Sequence, residues 1–304
     1  MNVDAINQFA EFFTHLENQR RLSAHTITSY QRDLRSFSDY CQREQIPDWQ
    51  QVTHEQVRAF AAESHRKGLS GRSVQRRLSA LRSLFNFLMM TDVLKQNPAQ
   101  SVRSPKDEKK LPHCLDTDQM QAVLDTAAPT NWLQQRDLAM MELMYSSGLR
   151  LAELVSLNLP QLDLKNAEVR VTGKGEKTRI LPVGRKAIIS LQNWLQERAL
   201  HCADDETAAF INRSGSRLSR SSVQKRIRQW NTQQGLGLRL HPHVLRHSFA
   251  SHILESSHDL RAVQELLGHA NLSTTQIYTH LDFQHLAEVY DDAHPRARKQ
   301  RGKR

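Results

Sequence analysis

Apolar positions recur every three or four residues through most of the first hundred residues, the period of helices packed on one side. Ile6, Phe9, Phe12, Phe13 and Leu16 share a face and predict a helix from Val3 to Leu16. Ser23 or Thr26 is expected to cap a second helix carrying Ile27, Tyr30, Leu34, Phe37 and Cys41, which Pro47 breaks. Thr53 and Gln56 have the spacing of a capping box and open a third, through Val57, Phe60 and Ala61 to Gly68. The fourth runs from Gly71 to Met90, with Val74, Leu78, Leu81, Phe85 and Leu88 inward. Asn97-Pro98 closes the set. From Gln100 to Lys110 the chain is polar, contains Pro105, and lacks apolar periodicity, so it reads as a linker finishing near Pro112. The expected domains are residues 1–99, a four-helix bundle; 100–113, a linker; and 114–304.

The second part mixes periods. Asp116 or Thr117 caps a helix with Met120, Val123 and Leu124 inside, and Trp132 to Ser147 forms another that Gly148 ends. Arg150 follows that turn at a fixed point between Leu149 and Leu151, both expected to be buried; an ion pair with Glu153 is its structural alternative. Glu168 to Thr172 and Lys177 to Leu181 alternate on either side of Gly173-Lys174-Gly175-Glu176, a β-hairpin with Lys174 in its turn. A Walker nucleotide loop is excluded by its spacing. Helices are expected over Gly184–Leu200, around Ile188, Leu191 and Leu195, and over Ser219–Gln234, around Val223, Ile227 and Trp230, with a short strand at Ala208–Ile211 between them. Pro242 suits the first turn of a helix that sets His243 and Arg246 three apart on one face. Leu266-Leu267-Gly268 reads as a helix end leaving His269 in a turn, and Ser273 with Gln276 caps a short helix carrying Tyr278. Phe283, Leu286, Val289 and Tyr290 suggest a last amphipathic helix, and the basic tail after Pro295 is given no role. The fold class is mainly α in two domains, the second α+β with a small antiparallel sheet.

Charge changes this picture. Lys and Arg number 42 against 32 Asp and Glu, a net +10, which suits a polyanionic partner such as nucleic acid. The polar side of the Gly71–Met90 helix carries Arg72, Gln75, Arg76, Ser79, Arg82 and Ser83, groups that suit phosphates and base edges. Replacing Arg76 or Arg82 is expected to weaken DNA binding and flatten its salt dependence. Arg220, Lys225 and Arg228 make a second such face. Cys41, Cys114 and Cys202 are scattered, with no Cys-x-x-Cys, and read as reduced thiols of a cytosolic protein. No apolar run reaches membrane-spanning length and no signal-peptide pattern opens the chain, so no membrane partner is expected.

His243, Arg246, His269 and Tyr278, in so short a span, suggest a phosphate clamp beside a phenol nucleophile. His243 and His247 have the i, i+4 spacing of a zinc site, but the glutamate of that motif is missing and Arg246 lies between them, where a cation is repelled.

With these motifs in place the sequence resembles the tyrosine site-specific recombinases of the phage integrase family, over nearly its whole length. Within them it resembles the Xer group that resolves bacterial chromosome dimers, and the XerC subtype best. The resemblance rests on Ser-Gly-Leu-Arg-Leu-Ala-Glu-Leu around Arg150, Thr-Gly-Lys-Gly around Lys174, and His-Pro-His-Val-Leu-Arg-His around His243 and Arg246. Leu-Leu-Gly-His at His269 and Ser-Thr-Thr-Gln-Ile-Tyr-Thr-His at Tyr278 complete it. It implies an N-terminal SAM-like core-binding domain and a catalytic domain closing as a C-shaped clamp on duplex DNA. It also implies a site of Arg150, Lys174, His243, Arg246, His269 and the nucleophile Tyr278, which forms a 3′-phosphotyrosyl intermediate. Bond energy is kept in that ester, so neither ATP nor a metal is required and no cofactor is expected. The implied partners are a recombination site near the replication terminus, a XerD-like recombinase in a hetero-tetramer on DNA, and a septal DNA translocase as activator. A type IB topoisomerase-like enzyme and a non-catalytic DNA-binding protein are the alternatives.

Overall fold

The computed structural model describes residues 2–18, 24–105, 114–125, 129–173, 178–203, 205–235, 237–238, 240–267, 286 and 289–297. The chain divides into two compact units, Met1–Lys110 and Leu111–Arg304.

The first unit holds α1 (Val3–Asn18), α2 (Ala24–Arg43), α3 (His54–Arg66) and α4 (Gly71–Met90). The four expected helices are all present. α4 packs against the other three, because its apolar stripe is broad: Val74, Leu78, Ala80, Leu81, Leu84, Phe85 and Leu88 are buried. Burying each such large side chain contributes about 1.5–3 kcal/mol. The capping box at the start of α3 forms as expected, with Thr53 and Gln56 satisfying each other's backbone N–H. Three expectations are corrected. Thr26 lies inside α2 and is not its cap, while Ser23 falls outside the described residues. Ile6 is 59% exposed, because Ala5 occupies the inward position beside Trp49, whose indole N–H donates to the Ala5 carbonyl at 3.0 Å. The start of the expected linker belongs to the bundle: Ala99 and Val102 are buried in its core, and the Arg82 guanidinium donates to both their carbonyls.

The second unit is built around α6 (Trp132–Ser147), in which Arg136, Asp137 and every residue from Ala139 to Ser147 are buried. A helix covered on all sides lies at the centre of its domain. Around it stand α5 (Thr117–Leu124), α7 (Leu151–Ser156), α8 (Arg185–His201), α9 (Arg220–Gln233), α10 (Pro242–Ser257) and α11 (Leu260–Leu267). A three-stranded antiparallel sheet joins β1 (Leu162–Asp163), β2 (Glu168–Thr172) and β3 (Thr178–Pro182) in that order. The β2–β3 register pairs Thr172 with Thr178, as a hairpin requires. Residues Lys174 to Lys177 of its turn lie outside the described residues. The strand expected at Ala208–Ile211 is replaced by two isolated bridges, Asn158 with Ala208 and Ile211 with Arg217, because no continuous neighbour lies alongside it. Leu149 is buried as expected, but Leu151 is only partly so.

Arg296 is not a solvated tail residue. It is 6% exposed and pairs with Glu142 of α6, its Nε at 2.8 Å from Oε2, and with Asp125 at 2.8 Å. Burial pushes the Glu142 carboxyl up, and the Arg296 charge opposes that push. Replacing Arg296 by Met strands a buried carboxylate and is expected to cost about 3–5 kcal/mol. Denaturant unfolding followed by Trp132, Trp194 and Trp230 fluorescence measures this. The double change Arg296→Met, Glu142→Met is expected to restore most of the loss, and a single-variant cost below about 1 kcal/mol would count against the pair.

Candidate active site

Gly148 begins the site. It takes φ +59° and ψ 31°, the left-handed conformation that ends α6. A Cβ there would stand 2.4 Å from Phe249 Cδ1 of α10. The close approach that excludes a side chain brings the turn at 148–150 against the helix carrying His243 and Arg246. Arg150 is the residue before α7. Its backbone N–H donates to Glu153 Oε2 at 2.8 Å and its Nη1 to Glu153 Oε1 at 2.9 Å. Its side chain is 40% exposed, whereas that of Glu153 is only 3% exposed. The ion pair that the sequence offered as an alternative role for Arg150 therefore forms, and the guanidinium still reaches the surface.

Arg246 ties the pieces together. Its Nη1 donates to the Gly148 carbonyl, and its Nη2 to the Leu267 carbonyl at 2.6 Å. One planar fork thus joins the turn before Arg150 to the last residue of α11, two positions ahead of His269 in the chain. Burial lowers its pKa to about 10, with the Arg150 and Arg179 charges pushing the same way and Glu153 opposing them. It stays cationic at neutral pH, and burial contributes most to the lowering. Arg150 and Arg179 both pair with the buried Glu153, whereas Arg246 bonds only to carbonyls among the described residues.

His243 stands on the first turn of α10, exposed, three residues before Arg246. Pro242 occupies the first helical position, as expected. His241 caps the helix: its Nδ1 accepts from the Val244 N–H at 3.3 Å, which holds that nitrogen unprotonated. Burial, then the nearby His243, lowers the His241 pKa accordingly. Its ring lies 6.2 Å from that of His243. The structure therefore brings Arg150 and Arg246 together, with His243 on the helix of Arg246. Lys174, His269 and Tyr278, with the Gly268 helix end, the Ser273–Gln276 capping box and Phe283, lie outside the described residues.

Glu153 as the shared ligand of two arginines, and Arg179 as its second partner, carry no role in the sequence reading. A signal was present: Arg179 and Leu181 share the buried face of β3, where an arginine needs a fixed acidic partner.

The DNA-facing residues separate into two kinds. On α4, Arg72 and Gln75 are exposed, and Ser79 is partly buried with its hydroxyl on the Gln75 carbonyl. Arg76 instead grips Asp33, 1% exposed, at 2.7 and 3.0 Å, and Arg82 holds the Ala99 and Val102 carbonyls. Changing either arginine therefore disturbs the bundle itself. On α9, Arg220, Lys225 and Arg228 are all exposed.

Residues 113–285 match the phage integrase family, and residues 9–91 match the phage integrase N-terminal SAM-like domain. The chain belongs to the phage integrase family of tyrosine recombinases. Within that family its likeness is to the XerC recombinases. It is 52% identical over 292 residues to the tyrosine recombinase XerC of Alcanivorax borkumensis, covering 95% of this chain and 94% of that one. It is 52% identical over 291 residues to the XerC of Histophilus somni, covering 96% and 98%. Among solved structures it is similar to the XerH site-specific recombinase bound to its difH substrate before cleavage. There the TM-score is 0.67 and the identity 26%, over 92% of this chain and 83% of that one.

Proposed function

We propose that the protein is a site-specific DNA recombinase that cuts and rejoins duplex DNA through a 3′-phosphotyrosyl intermediate. The observation that carries this reading is the Arg246 fork on the Gly148 carbonyl, two residues before Arg150, whose guanidinium still reaches the surface. Tyr278 attacks the phosphorus and the 5′ oxygen of the next nucleotide departs. Only roughly a thousandth of a free phenol is ionised at neutral pH. His243 takes the proton, an effect worth on the order of 100- to 10,000-fold. Arg150 and Arg246 hold the non-bridging oxygens as charge builds on them; planar forks that stay charged suit this better than lysines. Lys174 protonates the departing 5′ oxygen, with Lys177 its nearest rival, and His269 adds a hydrogen bond to the phosphate. Attack by a second strand's 5′ hydroxyl reverses the step and completes an exchange.

In this reading α4 and α9 each supply contacts to duplex DNA, and a XerD-like recombinase completes a hetero-tetramer that a septal translocase activates. The work is resolution of chromosome dimers before cell division, in the cytoplasm. The likeness to XerC recombinases supports that assignment, and among the described residues no helix is long and apolar enough to cross a membrane. The test incubates the protein with a nicked duplex terminus-type site, with and without a XerD-like partner, and denatures it. A covalent protein–DNA adduct insensitive to chelator is expected; its absence with the partner present would refute the reading.

The exposed residues Lys225 and Arg228 are the cleaner probes of the DNA surface. Each alanine replacement is expected to reduce the slope of log affinity against log salt by about 1 without lowering the melting temperature. Fluorescence-anisotropy titrations at several salt concentrations measure the slope; an unchanged slope removes that residue from the interface.

A further inference from the structure

Glu153 is the best-held group in the second unit's site, and half of its hold comes from a residue with no assigned role. Each of its oxygens accepts twice. Oε1 takes Arg150 Nη1 and Arg179 Nη1, both at 2.9 Å, and Oε2 takes the Arg150 backbone N–H at 2.8 Å and Arg179 Nη2 at 3.0 Å. Burial alone would raise the Glu153 pKa, but the Arg179 bonds and charge, followed by Arg150, bring it below the usual carboxylate range. Arg179 is only 9% exposed, so its fork is committed to this carboxylate and does not point to solvent. Its Nε also faces the Leu266 carbonyl at 3.4 Å, at the end of α11.

We propose that Arg179 is a positioning residue for phosphate capture: by sharing Glu153 it fixes the Arg150 guanidinium in the orientation that grips the scissile phosphate. This rests on the recombinase reading above. The physical reason is competition for one buried carboxylate. With Arg179 in place, each Glu153 oxygen is divided between two donors, and Arg150 receives one side-chain bond and one backbone bond. Without it, the carboxylate turns its full charge on Arg150 and draws the guanidinium into a two-toothed pair, away from the phosphate. A substrate oxyanion would then compete with a fixed internal one. Arg179 also sits at the second position of β3, five residues after Lys174, and against the helix end three residues before His269. It is thus bonded to the segments that lead to three of the proposed site residues, yet reaches the chemistry only through Arg150.

The predicted consequence is a slow cleavage step on normally bound DNA. Arg179→Met is expected to slow single-turnover cleavage about 100-fold, the effect of a small misplacement of a catalytic group. Arg179→Lys, which keeps the charge but cannot make the paired fork, is expected to recover part of that rate. Both variants are expected to bind the duplex site within about twofold of the parent, since one repositioned contact is few among many. Assays run well below each variant's melting temperature; should the Met variant fail to fold, the Lys variant alone carries the test.

A second substrate separates phosphate capture from leaving-group protonation. Replacing the 5′ bridging oxygen by sulfur gives a thiolate leaving group that needs no proton. If Arg179 acts through Arg150, the variants stay slow on this substrate. Restoration of the rate would place Arg179 on the leaving-group side and overturn the proposal, as would an unchanged rate on ordinary DNA or a loss explained wholly by weaker binding. Failure of the parent protein to form an adduct on either substrate would instead overturn the recombinase reading.

Discussion

Tyr278→Phe is expected to bind its duplex site as tightly as the parent and to form no covalent adduct. The change removes one oxygen and little else, so the Arg150 and Arg246 side chains are untouched. The other tyrosines are poorly placed to substitute. Tyr145 and Tyr290 are each 1% exposed and donate or accept within the core, to His252 at 2.8 Å and Ser146 at 2.7 Å. Burial pushes both phenols above their ordinary range, which disfavours the phenolate a nucleophile needs. Tyr40 is 5% exposed in the first unit's core and is shifted the same way by burial. Tyr30 packs on that same core. A denaturing gel with peptide mapping decides the matter: an adduct at Tyr145 or Tyr290 would remove Tyr278 from the mechanism.

Arg246→Lys is expected to lower the cleavage rate by about 1,000-fold or more, the scale on which an arginine stabilises phosphoryl-transfer charge. Two losses combine. A lysine carries one compact charge and cannot span the Gly148 and Leu267 carbonyls while also presenting a planar face to the phosphate. It also titrates too early. Arg246 is already lowered to about 10 by burial and the neighbouring Arg150. The same surroundings act on a lysine, whose starting value lies below that of arginine. The sign follows: the group must be protonated to work, so the variant's residual rate falls as pH rises at lower pH than the parent's. Single-turnover cleavage against pH measures both effects. A variant within tenfold of the parent, with an unshifted alkaline limb, would count against the clamp.

Much of the local architecture was legible because its causes lie within a few residues. Thr53 with Gln56 forms the capping box its spacing announces, and Asp116, one of the two caps expected there, caps α5. Gly148 ends α6 where a left-handed residue was needed, and α4 begins and ends where its apolar stripe does. Arg150 and Arg246 were singled out from their local settings, and Arg246 bonds to the carbonyl of Gly148, two residues before Arg150. What escaped was pairing at a distance. Arg72 and Arg76 read as one stripe, but Asp33, 43 positions from Arg76, ties the second of them to the bundle. Arg296 looked like tail and is held by Glu142, 154 positions away.

By itself, then, the order of residues determined the helices, the hairpin and the kinds of side chain available for chemistry on a phosphate, since periodicity, caps and turn residues act over one or two helical turns. Only the tertiary structure decided what each cation is for. Whether a guanidinium faces solvent, holds a carbonyl or shares a carboxylate depends on which buried acceptor the folded chain brings beside it. The cost of leaving such an acceptor unpaired is why Glu153 holds Arg150 and Arg179 together and Arg246 joins the turn at Gly148 to the end of α11.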